Sequence, residues 1–519
     1  MIKRYSFLMV MVLLGSMMSN AVACTNFLFS RGSTRDGSTM ITYAADSHTR
    51  YGQLRYHPAT DHRKGEMLRI YDYGSLRYLL SIPQPSHTYN VVGFINEHQL
   101  AIGETTFGGR AELSKGNAEG IDYGNLIYVA LQRARNCREA IVVMHELVST
   151  YGYCSSGESF SLCDPNEVWI MEIISKGNEK GAVWVARKVP EGYVCGHANQ
   201  ARITTFPQER ITQRGEVAIS SRKLKSIGLA DISCVYSDDV VSFARRRGWY
   251  SGSDSDFSFA DTYCPVDFGG ARFCDARVYA MFRRVAQGME RYEAYAMGNI
   301  SAERPPLWIK PDHLIDVHEV MELMRDHFEG TPMDMRHDAG AGPYHCPYRQ
   351  RPMTWEYEGH TYIHERATST QQTGFSFVAQ CRRWMPAKAG GILWLGVDDT
   401  YSTVYCPMYC GLTQVPECFR EGNGSMTQYS TTSAFWLFNR VANFAYGQYD
   451  RMIGDIRAEQ RALEESFIST VLQHDEQLLS LSDSPRLETQ LNLLSNRAAD
   501  RMMKAWTQLS NDLLVRYHE

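Results

Sequence analysis

Short turns between strand-like segments limit the fold of this chain more than any other feature. Segments 25–30 and 39–45 are separated by RGSTRDGS, in which Asp36-Gly37 is a strong turn signal. Later strand-like segments are separated only by NEHQ, SKGNEKG and PEG. Connections this short join antiparallel neighbours, because a parallel pair needs a crossover of about a dozen residues or more. We therefore predict antiparallel sheets rather than a doubly wound parallel sheet.

Apolar residues at helical spacing accompany these strands. Residues 123–153 predict two helices that meet near Asn136 and cover one face of a sheet. The region 211–308 is predicted to be mostly helical around DTYCPVDFGGARFCDARVYAMFRRVAQ, and another helix is predicted over 312–328. Sheets with helices packed against them indicate the α+β class.

The start of the chain has the pattern of an export signal. A basic pair at 3–4 precedes the apolar segment 7–18, and an A-x-A sequence ends at Ala23. This order is typical of a secretory signal peptide, here residues 1–23. We therefore predict an exported protein, periplasmic or extracellular, whose mature chain begins at Cys24.

Three roles for Cys24 are open at this point. It could be a catalytic nucleophile whose own α-amino group is its base, since a free amine titrates at about 7.7–8 and a thiol at about 8.5. It could instead be acylated and anchor the protein to a membrane. The lipoprotein signal is poor, because Ala21 stands where a larger aliphatic residue is usual. The third role is that of an ordinary structural cysteine.

Composition and spacing exclude several classes of function. Removal of residues 1–23 changes the formal net charge from −5 to −7, which does not favour a nucleic-acid partner. No second segment is apolar enough to predict a membrane span in the mature chain. The cysteines and histidines form neither C-x-x-C nor H-E-x-x-H, so no metal site is predicted. Disulfides are expected in an exported chain, but their pairing cannot be deduced.

Polar residues at strand ends are the further candidates for catalysis. Asp46 follows the first predicted hairpin, which returns it toward Cys24, where a carboxylate could hold the amine; a turn cap is the alternative. Oxyanion stabilisation needs fixed N–H donors. Asn199 in GYVCGHANQARI and the backbone amide of Thr106 in GETTFGG are the candidates.

Several long blocks resemble one family. CTNFLFSRGSTRDGSTMITYAADS, GFINEHQLAIGETTFGGR, GAVWVARKVPEGYVCGHANQARI and SAFWLFNRVANFAYGQYDRM are similar, in this order, to blocks of the cysteine dipeptidases of the N-terminal-nucleophile hydrolase superfamily, the group related to secernins. The resemblance extends from Cys24 to about residue 463. It implies an αββα sandwich, in which two stacked antiparallel sheets lie between helices.

The resemblance also implies roles for the candidate residues. Cys24 would attack the carbonyl, its amine would carry the proton, and Asn199 would help to hold the oxyanion. Asp46 matches the acidic residue of the family's R-N-E-D-S stretch. The chain reads YAADS there, so Tyr43 stands where the family usually has Arg. This difference affects the expected tuning of the thiol and the recognition of the substrate.

The family's usual substrate is a dipeptide, hydrolysed without metal or other cofactor. Charged side chains are expected to bind the two termini of the dipeptide, and Glu104, Arg110 and Arg202 are the candidates. Each of these three could equally be a surface ion-pair partner.

The resemblance and the change of composition near residue 433 predict three parts. These are a signal peptide (1–23), a catalytic domain (24–432) and a helical segment (433–519). The helical segment should contain two helices with a break near 480–484. It is expected to dock on the catalytic domain, and an interface of a homo-oligomer is the other arrangement open.

Three functions are compatible with the sequence. The first is a metal-independent dipeptidase that forms an acyl-enzyme on Cys24. The second keeps the fold and nucleophile but hydrolyses N-acyl amino acids or bile-acid conjugates. The third is a lipid-anchored binding protein without enzymatic activity.

Overall fold

The computed structural model describes residues 23–114, 119–209, 216–229, 231–337, 340–348, 354–363, 366–482 and 484–518. Of the predicted signal peptide, residues 1–22 therefore lie outside the described residues. Within the described ranges, no helix combines the length and the apolar character that a membrane crossing requires.

The first sheet has seven strands, and every neighbouring pair is antiparallel. The turn predicted at Asp36-Gly37 joins two of its strands: the Asp36 carboxylate accepts from the backbone N–H of Ser38 at 3.0 Å, and Gly37 has φ +75°. From one edge to the other, the strands are Trp308–Ile309, Val194–His197, Ala23–Phe29, Thr39–Asp46, Thr373–Cys381, Gly391–Val397 and Cys406–Tyr409.

The second sheet has nine strands, of which one neighbouring pair, Val217–Ser220 with Ile232–Tyr236, is parallel. The prediction of two main antiparallel sheets is otherwise confirmed. In order, the strands are Val217–Ser220, Ile232–Tyr236, Glu179–Lys188, Val168–Lys176, Gly157–Cys163, Ala101–Gly108, Ile95–Asn96, Val91–Val92 and Tyr56–His57. Two-stranded hairpins pair Thr60–Asp61 with His87–Thr88, Met67–Tyr71 with Tyr78–Pro83, and Thr354–Tyr357 with His360–Ile363.

The two main sheets face each other through buried side chains. Asn26 of the first sheet donates to the hydroxyl of Ser161 of the second at 3.2 Å, and Tyr43 donates to Glu104 at 2.5 Å. Strands Thr39–Asp46 and Gly157–Cys163 are buried along their whole length. Continuous burial is expected for strands covered on both faces. Polar groups that reach between the sheets are therefore shielded from water.

Helices accompany the two sheets and confirm the α+β class. The pair of helices predicted within 123–153 is present, and the Asn136 side chain caps the second helix by accepting from the backbone of Glu139 at 3.0 Å. The α-helices are Ala111–Ser114, Tyr123–Arg133, Cys137–Tyr151, Val240–Arg246, Phe259–Tyr263, Ala276–Val285, Glu293–Ala296, Val317–Leu323, Ala387–Gly390, Ala434–Gly447, Tyr449–Ser480 and Arg486–Tyr517. A π-helical turn, Gly270–Asp275, leads directly into Ala276–Val285.

Two sequence predictions of helices need correction. The helix predicted over 312–328 is only Val317–Leu323, because the Asp316 side chain caps it by accepting from the backbone of Glu319 at 2.9 Å. The region 211–308, predicted to be mostly helical, also contributes two strands to the second sheet. Pairing with Glu179–Lys188 decides that outcome, and no local pattern encodes such a long-range contact.

The C-terminal segment contains one more break than predicted. The break between Ser480 and Arg486 is present, but a further one at Gln448 (φ −143°, ψ 50°) follows Gly447 and divides the first predicted helix. The last helix lies against the first sheet, where the backbone N–H of Tyr409 donates to the hydroxyl of Ser495 at 3.3 Å. Trp506 of this helix stacks on Phe438, with ring centroids 4.7 Å apart.

Candidate active site

Cys24 lies near the start of a central strand of the first sheet. Its neighbour Ala23 pairs with Asp46 across the sheet, and Cys24 itself pairs with Ala45. With Ala23 still attached, the Cys24 side chain is fully buried. Its backbone nitrogen donates to Oδ1 of Asn199 at 2.9 Å. The atom that would become the α-amine after cleavage at Ala23 is thus already held by a side chain.

Three acidic side chains lie close to the sulfur of Cys24. Cys24 Sγ lies 3.8 Å from Tyr43 Oη and 3.8 Å from Glu104 Oε1, and Tyr43 Oη donates to Glu104 Oε1 at 2.5 Å. Glu158 lies beside Glu104, and one oxygen of each of these two carboxyl groups is buried without a hydrogen-bond partner among the described residues. We call Cys24, Tyr43, Glu104 and Glu158 the Cys24 cluster. Within the part of the chain that the structure describes, no cation hydrogen-bonds to the side chain of any of the four.

The protonation of Glu158 depends on Glu104. Burial raises the pKa of both carboxyls, and the charge of Glu104 raises the pKa of Glu158 further. The protonated form of Glu158 is therefore favoured. The hydroxyl of Thr106 donates to Glu158 Oε1 at 2.8 Å and completes the arrangement.

The thiol is neutral in this setting. Burial raises the pKa of Cys24 well above its usual value, and the negative charges of Glu104 and Asp46 raise it further. The backbone N–H of Asp46 and the hydroxyl of Tyr43 act in the opposite direction but do not compensate. A thiolate here requires a new positive charge or a base next to the sulfur.

Asp46 lies where the sequence placed it, at the end of the neighbouring strand. Thr373 donates to its carboxylate at 2.7 Å, and the guanidinium of Arg366 lies 3.3 Å away. Burial raises the pKa of Asp46 to about 6, despite the opposing effects of Arg366 and Thr373. Asp46 is therefore a buried carboxyl beside the Ala23–Cys24 bond, with a pKa close to neutrality.

Arg277 is a site residue that sequence reasoning missed. Its guanidinium donates to the carbonyl of Cys24 at 2.7 Å, to Thr25 Oγ1 at 2.8 Å and to Asn199 Oδ1 at 2.9 Å. Arg277 is completely buried on the helix Ala276–Val285. An arginine on the apolar face of a helix was the available signal, because such burial requires several fixed acceptors.

The backbone conformation of Asn199 supports a role in positioning Cys24. Its φ is +62°, in the left-handed region that non-glycine residues rarely adopt. Its amide nitrogen donates to the carbonyl of Thr106 at 2.6 Å, while its oxygen accepts from Cys24 and Arg277. Asn199 and Thr106 are thus brought together with Cys24, as the sequence predicted. That Asn199 and Thr106 stabilise an oxyanion remains a prediction.

The three candidates for binding substrate termini lie in different places. Glu104 is part of the Cys24 cluster. Arg110 donates to the carbonyl of Thr262 at 2.6 Å, and Arg202 is buried, donates to the carbonyl of Gly196 at 2.8 Å and lies 3.4 Å from the carboxylate of Asp275. The structure does not bring either arginine into contact with the Cys24 cluster.

A cavity of about 450 Å³ opens next to the cluster. Its walls include Phe94 and Phe375, whose rings pack edge-on against Tyr43 with centroids 5.4 and 5.6 Å away. Arg50 and Arg55 also line the cavity. The thiol is therefore separated from this space by the thickness of about one aromatic side chain.

A second buried group of charges lies elsewhere in the fold. Among the described residues, His318, Glu322 and Glu464 bring potential metal ligands within 4.8 Å of one another. Arg325 pairs with Glu464 at 2.6 Å and with Glu322 at 2.8 Å, and Arg457 pairs with Glu322 at 2.5 Å. We call Arg325, Arg457, Glu322 and Glu464 the Arg325 cluster. Its carboxylates are already paired with arginines.

Comparison with known proteins assigns the family. The model of peptidase family C69 matches residues 58–462. The probable dipeptidase B of Streptococcus pyogenes serotype M1 is 20% identical over 90% of this chain and 87% of its own length. The probable dipeptidase of Salmonella dublin is 22% identical over 76% and 82%, and the dipeptidase of Bifidobacterium longum is 21% identical over 82% and 78%. The chain therefore belongs to peptidase family C69, a family of cysteine dipeptidases, as its sequence blocks had indicated.

Proposed function

We propose that this protein is a metal-independent dipeptidase whose nucleophile and base are both supplied by Cys24 after cleavage at Ala23. The observation that carries this proposal is the hydrogen bond of the Cys24 nitrogen to Asn199, with the sulfur of the same residue held above Tyr43 and Glu104. The names of the relatives as dipeptidases support the choice of substrate. The same cleavage implies export to the periplasm or the exterior.

Cleavage would supply what the buried thiol lacks. The new α-amine can accept the thiol proton, and the resulting ammonium lies close to Glu104 and Asp46, whose charges favour it. Asn199 and Arg277 fix the position of this nitrogen and of the Cys24 carbonyl. The proton can therefore leave the sulfur without a histidine.

The proposed reaction has two halves. The thiolate attacks the carbonyl carbon of the dipeptide and forms a carbon–sulfur bond, while N–H donors near Asn199 and Thr106 stabilise the oxyanion. The ammonium returns its proton to the departing nitrogen, the peptide bond breaks and the C-terminal amino acid leaves. Water, deprotonated by the amine, then cleaves the thioester, and the thiol recovers its proton.

We assign the fold to the αββα sandwich. The support is that two sheets face each other through buried side chains, while the helices Tyr123–Arg133 and Cys137–Tyr151 bond to the second sheet and its flanking turns, and Arg486–Tyr517 bonds to the first sheet. Under this assignment, Cys24 as the N-terminal residue of the mature chain would lie between the sheets.

The test combines processing with activity. Intact-mass and N-terminal analysis of protein exported by its native host should show an unmodified chain that begins at Cys24. Cys24→Ala should lower kcat/KM on a dipeptide panel by on the order of 10⁴-fold or more. Cys195→Ala, which removes another buried thiol of the same sheet, is the matched control and should retain activity.

Other results would identify the alternatives. Full activity in Cys24→Ala, or a diacylglyceryl group on Cys24, would make this residue an anchor and contradict the proposal. Preferential cleavage of N-acyl amino acids or bile-acid conjugates would keep the nucleophile and replace the substrate. N-acyl amino acids and bile-acid conjugates are included in the substrate panel because Tyr43, rather than arginine, lies beside the thiol.

A further inference from the structure

The cavity beside the Cys24 cluster has an excess of positive charge. Arg50 and Arg55 line it, and no aspartate or glutamate is among its described lining residues. Arg55 lies 3.5 Å from Glu421, a half-exposed carboxylate at the protein surface. The charge of this cavity therefore favours an anionic ligand.

Arg50 is the cation in this cavity that is available to a ligand. Its guanidinium lies over the ring of Tyr73, with the Cζ atom 4.9 Å from the ring centroid. Across the residues that the structure describes, the guanidinium forms no hydrogen bond and no ion pair. Arginine side chains this enclosed usually bind an acceptor, and a planar guanidinium matches a carboxylate with two parallel hydrogen bonds.

The position of Arg50 connects this charge to the reaction. Burial lowers the pKa of Arg50, but the nearby groups Tyr73, Tyr43, Tyr123 and Cys24 raise it by more, so the side chain stays charged. Arg50 follows Asp46 by four residues, in the segment that leaves the strand Thr39–Asp46. The cavity that Arg50 lines is connected to the thiol through its walls Phe94 and Phe375, which contact Tyr43, and the hydroxyl of Tyr43 lies 3.8 Å from Cys24 Sγ.

Apart from the polar residues Ser47, Thr49 and Gln53, the remaining walls are mainly apolar and aromatic. Tyr123 and Tyr128 lie on one side, and Phe94, Phe375 and Leu393 on another. About 450 Å³ accommodates a large side chain, and ligand cavities commonly fall in the range of about 300–1,000 Å³. The cavity therefore combines one carboxylate-binding group with space for a bulky apolar side chain.

We propose that Arg50 binds the C-terminal carboxylate of the substrate and that the aromatic walls accept the side chain of the same residue. This inference rests on the proposed dipeptidase function and specifies its substrates: dipeptides with a free carboxylate and a bulky apolar C-terminal residue. A longer peptide would place an uncharged amide on Arg50, which explains a restriction to dipeptides in terms of one side chain.

The test compares three substrates that differ in their carboxylates. Alanyl-phenylalanine has a terminal carboxylate, alanyl-phenylalanine amide has none, and alanyl-glutamate α-amide has one only on its side chain. The wild-type protein should cleave the free acid with a kcat/KM about 100-fold higher than the amide. Arg50→Gln should lower kcat/KM for the free acid by a similar factor, mainly through KM, and leave the amide unchanged.

Two further variants control for charge and folding. Arg50→Lys keeps the charge but loses the planar fork, so it should recover only part of the preference for the free acid. Arg63→Gln removes an exposed arginine of the same region and should change neither substrate. Equal cleavage of acid and amide by the wild type, or an equal loss on both in Arg50→Gln, would overturn the inference. A third result would be that the wild type cleaves alanyl-glutamate α-amide as fast as alanyl-phenylalanine and loses this activity in Arg50→Gln. Arg50 would then bind an acidic side chain of the substrate, and the assignment of Arg50 to the C-terminal carboxylate would be overturned.

Calorimetry separates this inference from the proposed function. The Cys24→Ala variant should bind alanyl-phenylalanine about 100-fold more tightly than its amide, and the Cys24→Ala/Arg50→Gln double variant should lose that difference. If the wild type cleaves no dipeptide, the proposed function fails, yet this binding difference still decides the role of Arg50. If dipeptides are cleaved but the binding difference is absent, the proposed function stands and the inference fails.

Discussion

The Cys24 cluster and the Arg325 cluster are both buried groups of ionisable side chains, but their charges are arranged in opposite ways. In the Arg325 cluster each carboxylate contacts an arginine within 2.8 Å. In the Cys24 cluster, four acidic groups meet without a hydrogen-bonded cation among the described residues. Paired charges stabilise a structure, whereas uncompensated ones leave a group whose protonation can change during a reaction.

The effect of burial on pKa shows the same contrast. Burial alone would raise the pKa of Glu322, but Arg325 and Arg457 lower it to below its usual range. Burial raises the pKa of Cys24, and Glu104 and Asp46 raise it further. The first site is an ion-pair network, and under the proposed function the α-amine of Cys24 would supply the positive charge that the second site lacks.

The largest expected effect is on stability at the Arg325 cluster. Arg325→Met should lower the free energy of unfolding by about 3–5 kcal/mol, because it leaves buried Glu464 without its partner. The double variant Arg325→Met/Glu464→Leu should recover most of that loss, and both should keep their activity per folded molecule. Denaturant unfolding and active-site titration measure these quantities. Loss of kcat at full folding in either variant would erase the contrast between the clusters.

The next effect concerns the pH dependence of stability at Asp46. Its pKa is raised from 3.8 to about 6 in the folded protein, so folding favours the protonated form. This contribution is fully present below the unfolded pKa and is lost as pH rises through about 6. Its size is up to about 3 kcal/mol, from about 1.4 kcal/mol per unit of pKa. Relative to Asp46→Asn, the wild type should therefore lose stability between pH 4 and 7.

Urea unfolding of both proteins across this range measures the difference. Asp46→Asn keeps the shape of the side chain, and the Thr373 hydroxyl can still donate to its oxygen. A difference that is constant with pH would show that Asp46 keeps its ordinary pKa and is not a perturbed member of the site.

The smallest expected effect is a shift of the pH–rate profile. Glu104→Gln removes the negative charge that raises the pKa of Cys24, although burial still raises it. The ionisation that activates the thiol should then move to lower pH by about one unit, as one neighbouring charge typically does. The profile of kcat/KM against pH measures this shift. Glu322→Gln, in the Arg325 cluster, is the control and should leave the profile unchanged.

The sequence predicted more of the polypeptide arrangement than of the site. Cys24, Asn199, Asp46 and Thr106 were chosen from strand ends and from family blocks, and the structure brings all four together. Arg277 was missed because it is 253 residues from Cys24 in the sequence and meets it only in the folded chain. The sequence shows that Tyr43 stands where the family has Arg. It assigns Glu104, however, to substrate binding, whereas in the structure Glu104 accepts a hydrogen bond from Tyr43 beside the thiol.

Helix boundaries show the same limit on a smaller scale. The break at Asn136 was predictable because a capping side chain marks it locally. The short helix Val317–Leu323 and the strand Ile232–Tyr236 were not, because their extents depend on capping geometry and on pairing with a distant strand. Local signals therefore predicted those features that local interactions decide.

By itself, the sequence determined that the strands joined by tight turns are antiparallel, because such turns leave no chain for a parallel crossover. It also determined the family, through long blocks that surround the strand ends. Only the tertiary structure decided which ionisable groups share the interior with Cys24 and which cation is left for a ligand. The physical reason is that pKa values and charge pairing depend on burial and on contacts between distant segments. Both arise when the two sheets pack face to face.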